Sequence, residues 1–79
     1  MANAAKILSK MRSNPRDWRI EDLKVLANHF GINHDQTGSH VTFRNRNAGR
    51  LTVPADRPIL PVYVRRFVQL VDSAIQEEP

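Results

Sequence analysis

Apolar positions in this chain follow two different periods, and the change between them divides it. Ile7, Leu8 and Met11 recur at helical spacing and predict a short helix over 4–11, with Lys6, Lys10 and Arg12 around the stripe. Ser13-Asn14-Pro15 ends it, because the residue before a proline avoids the helical region. Ile20, Leu23, Leu26, Ala27 and Phe30 form a second stripe, with Asp17 as the expected N-cap and Gly31 as the C-cap. Glu21 and Asp22 in its first turn and His29 in its last suit the helix dipole, so His29 reads as a helix-end histidine. Trp18 reads as an anchor where this helix begins.

Past Gly31 the period shortens to two. A first strand is expected over 32–36, followed by a turn at Thr37-Gly38. His34 and Asp35 are adjacent, and adjacent strand residues point to opposite faces, so they do not read as an oriented pair. A second strand is expected over 40–44, with Val41 and Phe43 inward and His40, Thr42 and Arg44 outward. Asn45-Arg46-Asn47-Ala48-Gly49 is a hairpin turn rich in residues that tolerate positive φ. Leu51–Val53 is the third strand, with Arg50 and Thr52 outward and Pro54 closing it. After a loop over 55–60, Pro61 suits the first turn of a last helix. There Val64, Phe67, Val68, Val71 and Ile75 follow the i, i+3, i+4, i+7 pattern of a core-facing stripe. Arg65, Arg66, Gln69 and Asp72 fall on its other side, Tyr63 flanks the stripe, and Glu77-Glu78-Pro79 is expected to fray.

Helix, helix, hairpin-linked strands and helix, with no parallel crossover, indicate an α+β fold. One face of a three-stranded antiparallel sheet would be covered by the helices and the other left open. Seventy-nine residues bound this to one small domain, 1–79, divided into an N-terminal helical extension over 1–17 and a core over 18–76. The chain has no cysteine, which removes disulfides and thiolate metal sites. No long apolar run is readable as a signal peptide or membrane span, so a soluble cytoplasmic protein without a membrane partner is expected.

Charge changes the picture more than composition does. The net charge is +4. From His40 to Arg66 there are six arginines and one acid, Asp56, whereas from residue 67 onward there are three acids and no base. All the basic residues of that middle stretch (Arg44, Arg46, Arg50, Arg57, Arg65 and Arg66) are arginine, whose planar fork suits phosphate oxygens. A solvated basic face is the plain explanation; contact with a phosphate backbone or an acidic protein is the functional one. His40, which starts a strand opposite the core face, is the side chain best placed to move a proton near neutral pH. Its plain alternative is a strand-end histidine bonded to the loop. His29, His34 and His40 lack a compact ligand spacing, so no metal or other cofactor is expected.

Gly38-Ser39-His40-Val41-Thr42-Phe43, the hairpin into Leu51-Thr52-Val53-Pro54, and the helix start Val64-Arg65-Arg66-Phe67 together resemble the HicA family, the mRNA-cleaving toxins of bacterial HicA–HicB toxin–antitoxin pairs. The resemblance covers roughly residues 18 to 75. It implies a double-stranded-RNA-binding-domain-like fold, metal-independent cleavage of mRNA with the motif histidine, here His40, required, and a HicB-type antitoxin covering the active face. Two features depart from the family pattern. Many members carry a second aromatic or histidine after the motif histidine, where this chain has Val41. The segment before Trp18 is also longer than in minimal members, and could pack on the domain or meet the antitoxin.

The residue chemistry agrees with that implication. RNA carries its own nucleophile, the 2′-hydroxyl, so an enzyme need only take its proton, stabilise charge on the phosphate and assist the leaving 5′-oxygen. His40 is the expected general base or acid. Arg44 and Arg50 are the expected phosphate contacts, with Thr42 beside them, and Arg46, Arg65 and Arg66 extend the electrostatic footprint. A second acid–base group stays open among Tyr63, His34, the arginines and water. Two other classes fit the same residues: a non-catalytic RNA- or protein-binding module on the basic sheet, and a structural subunit of a protein complex.

Overall fold

The structure is a computed structural model and describes residues 3–46, 48–55 and 58–75. Its elements are α1 (Ala4–Ser13), α2 (Ile20–His29), β1 (Asn33–Thr37), β2 (His40–Asn45), β3 (Gly49–Pro54) and α3 (Pro61–Ile75). The strands form one antiparallel sheet in the order β1-β2-β3. The α+β class expected from the two hydrophobic periods is what forms. Asn47 of the expected turn, Asp56 and Arg57, and the Glu77–Pro79 end lie outside the described residues.

Strand alternation sorts the sheet into two faces. Val41, Phe43 and Val53 are fully buried on the inner face, where they join one hydrophobic cluster with residues of all three helices. Phe43 meets Phe67 of α3 edge to face, with ring centroids 4.9 Å apart. Leu23, Leu26 and Ala27 enter from α2, and Val64, Val68, Leu70 and Val71 from α3. α1 is part of this packing: Leu8 and Met11 are buried in the same cluster. Arg12 of α1 also donates to both carboxylate oxygens of Asp72 on α3, at 2.5 and 2.8 Å. The hydrogen bonds and charge of Asp72 raise the Arg12 guanidinium further above its ordinary value, so it stays charged. Of the segment before Trp18, α1 therefore packs on the domain.

Several local expectations are corrected. Asp17 does not cap α2; it adopts the left-handed conformation, φ +64°, in the turn after Pro15. Aspartate tolerates that region better than most residues. The N-cap is Arg19, whose N–H donates to Asp22 Oδ2 at 3.0 Å, so Asp22 supplies the capping carboxylate from within the helix. Trp18 does anchor the start of α2: its Nε1 donates to the Asn14 carbonyl at 2.6 Å, and its own carbonyl accepts from Ile59 N–H at 2.9 Å. That second bond brings Ile59, in the stretch expected as a loop, into the core. In α3, Leu70 is buried and Ile75 is exposed, so the buried stripe stops short of the expected last position.

The α2 C-terminus fixes where β1 begins. Gly31 takes φ +73°, and Ile32 N–H closes onto the Ala27 carbonyl at 2.8 Å, a Schellman-type stop. Ile32 is thereby buried before the strand rather than within it, and β1 starts one residue later than expected. A Cβ on Gly31 would meet no atom, so Gly31→Ala tests the backbone conformation alone. It should destabilise the fold by roughly 1–2 kcal/mol, the left-handed penalty of an L-residue, read as a lower urea midpoint at unchanged slope.

Candidate functional site

The outer face of the sheet can be read directly from the register. Thr37 pairs with His40 and His40 with Pro54; Asp35 pairs with Thr42 and Thr42 with Thr52; Asn33 pairs with Arg44 and Arg44 with Arg50. Directly opposed residues share a face, so His40, Thr42, Arg44, Arg50 and Thr52 stand together on the open side, as the alternation predicts. Of these only Thr42, in the middle of the central strand, is more than slightly covered.

His40 is exposed, but its backbone is held firmly. A two-residue turn, Gly38-Ser39, joins β1 to β2, with Gly38 at φ +60° in the first position, where a type II′ hairpin needs a positive φ. Gln36 Nε2 donates to the Gly38 carbonyl at 3.1 Å. Ser39's carbonyl accepts from Ala55 N–H at 2.7 Å, which ties the turn to the end of β3. The imidazole therefore projects from the central strand at the hairpin end of the sheet, open to a ligand.

The other polar groups of this face differ in availability. Thr42 and Thr52 hydroxyls are 3.1 Å apart and bonded to each other. Arg44 is ion-paired with Asp35 across β1 and β2, both side chains being mostly exposed. Asp35, which does not read as a partner of His34 in sequence, is the one carboxylate on the outer face among the described residues. Arg50, opposite Arg44 on the edge strand β3, has no carboxylate partner among the described residues. Arg46 is exposed in the turn between β2 and β3.

Not every expected site residue joins this face. Arg65 and Arg66 are exposed on α3, in the helical layer behind the sheet, and they diverge. Arg65 lines a groove with Arg12 and Asp72 between α3 and α1, and Arg66 lines one with Arg50 beside β3. His34 and Tyr63, expected as candidates for a second acid–base group, do not join this face either. His34 lies on the inner face, with Nε2 3.0 Å from Asn28 Oδ1 and its ring 5.8 Å from that of Phe43. Tyr63 packs partly buried against the core from α3. His29 sits at the end of α2, its ring edge-on to Phe30 at 4.9 Å. The three histidines thus occupy three different environments, and among the described residues no three metal-ligating side chains converge. No described helix is long and apolar enough to cross a membrane.

Chemically, the outer face offers, among the described residues, one exposed imidazole, a pair of hydroxyls, one guanidinium in an ion pair and one without a carboxylate partner, on a three-stranded sheet. Compared with protein-family models, with curated proteins and with solved structures, the chain matches none.

Proposed function

We propose that this chain is a HicA-like toxin: an endoribonuclease that cleaves mRNA without a metal, with His40 as general acid–base, and that a HicB-type antitoxin silences by covering the open face. In this reading α2, the three strands and α3 form a double-stranded-RNA-binding-domain-like core, to which α1 is added. The observation that carries the reading is the placement of His40: exposed, on the outer face of a fixed central strand, in the same surface as Thr42, Arg44 and Arg50.

The chemistry needs little more than this face. A neutral His40 accepts the proton of a ribose 2′-hydroxyl as that oxygen attacks the adjacent phosphorus, or a protonated His40 gives a proton to the departing 5′-oxygen. The P–O5′ bond breaks as the P–O2′ bond forms, leaving a 2′,3′-cyclic phosphate and a 5′-hydroxyl. Arg50, and Arg44 once released from Asp35, stand four residues along the strands from His40 and hold backbone phosphates that flank the scissile one. Analysis of the cleaved ends tests the reading: cyclic phosphate and 5′-hydroxyl ends support it, and 3′-hydroxyl with 5′-phosphate ends refute it, because a water-derived nucleophile would then be at work.

The Asp35–Arg44 pair has a further consequence. Phosphate must compete with Asp35 for the guanidinium, and an exposed pair of this kind is worth about 0.2–1 kcal/mol. Asp35→Ala should therefore raise RNA affinity by up to about five-fold. Filter binding at fixed salt reads this, and a fall in affinity would mean that Asp35 helps the substrate bind.

A further inference from the structure

β3 is an edge strand, and α3 packs behind it. Between them lies an open groove of about 350 Å³, with Ala48, Leu51 and Leu70 as its apolar lining and Arg50, Arg66, Gln69 and Ser73 as its polar one. None of the described residues lining it is acidic, and among the described residues neither arginine has a carboxylate partner. The groove beside Arg65 differs, since Asp72 already supplies a carboxylate there. Arg50 belongs to both surfaces. Its pairing with Arg44 puts it on the His40 face, and its place on the edge strand lets it line the groove as well.

We infer that the Arg50–Arg66 groove is a second phosphate subsite, taking the RNA strand where it leaves the open face and passes round the β3 edge. The inference rests on the proposed function. Two guanidinium forks with no competing carboxylate among the described residues suit a phosphate. Gln69 and Ser73 add an amide and a hydroxyl that can meet ribose hydroxyls as donors or acceptors. An acidic protein segment would find the same charge, but continuity with the His40 face through Arg50 favours the strand already bound there.

The register sets how far this subsite lies from the chemistry. Arg50 is opposite Arg44, four residues along β2 from His40, which is roughly 14 Å along the strand and about 5 Å across. The subsite therefore holds a phosphate a few nucleotides from the one cleaved. It strengthens binding of long RNA and leaves the shortest substrates unaffected.

The test compares Arg66→Ala with Lys10→Ala, which removes the same charge from α1, both in a His40→Ala background so that RNA is not consumed. Affinities are measured for a short single-stranded oligoribonucleotide spanning only the open face and for a longer one, across a salt series. Arg66→Ala is expected to weaken the long oligonucleotide roughly ten-fold, the contribution of one charge-assisted hydrogen bond. It should also lower the salt slope by about one and leave the short one unchanged. Equal losses for both lengths, or an equal loss from Lys10→Ala, would overturn the subsite in favour of a diffuse basic field. Unchanged affinity for long RNA would overturn it too; if binding of polyglutamate were lost at the same time, the groove would belong to an acidic protein segment. If the His40→Ala parent binds neither oligonucleotide, the RNA reading falls along with the subsite. Intact parent binding with no effect of Arg66→Ala refutes the subsite alone.

Discussion

Phe43→Ala is expected to remove a large part of this protein's stability. Phe43 and Phe67 are both fully buried, and their rings form the edge-to-face contact between β2 and α3. The ring of His34 leans on the same side chain. Truncating a buried phenylalanine costs about 3–5 kcal/mol, because the transfer energy of the ring is lost and the cavity closes only in part. A chain of 79 residues has roughly 4–12 kcal/mol in total. The variant should therefore melt tens of degrees lower, at roughly 4–8 °C per kcal/mol for a domain of this size. A loss below about 1 kcal/mol would mean that the inner face of β2 is not the centre of the core.

His40→Ala, three residues away on the opposite face, is expected to do the reverse. The side chain is exposed, so its loss should change stability by no more than about 0.5 kcal/mol. If His40 is the acid–base group of the proposed RNA cleavage, its removal should lower that rate by roughly 10²–10⁴. RNA affinity should change little, because Arg44 and Arg50 remain on the face. The competing view, a binding module on the same basic sheet, makes a different forecast. It has the wild type bind without cleaving, and His40→Ala weaken that binding by removing a stacking or hydrogen-bonding group. Rate and affinity measured on the same two proteins therefore separate an acid–base role from a contact role.

How much was legible in the sequence depended on the length of each pattern. The α2 and α3 stripes and the alternation through His40-Val41-Thr42-Phe43-Arg44 are long enough to fix which side is buried, and they place His40, Thr42, Arg44, Arg50 and Thr52 on one face. β1 is different. Asn33-His34-Asp35-Gln36-Thr37 carries no apolar alternation, since it is a mostly exposed edge strand, so only the turn fixes its register. A turn at 37–39 would pair Gln36 with His40 and bring His34 to the open face. The two-residue turn Gly38-Ser39 pairs Thr37 with His40 and brings Asp35 there instead. One residue of register decides whether His40's neighbours across β1 include a second histidine or a carboxylate. The signal available in the sequence was Gly38, whose freedom to take a positive φ suits the first place of a two-residue hairpin. The divergence of Arg65 and Arg66 was hidden for another reason. Both fall on the solvent side of a helical wheel, and only the positions of α1 and β3 on either side of α3 send them to separate grooves.

The central claim is that His40 on the open sheet face carries out RNA cleavage without a metal. Its most direct test is incubation of single-stranded RNA with the wild type and with His40→Ala, side by side, in the presence of a strong chelator. The account predicts cleavage by the wild type and none above background by the variant. Equal cleavage by both would remove His40 from the chemistry, and the absence of cleavage by the wild type, with RNA bound, would contradict the assignment as an enzyme.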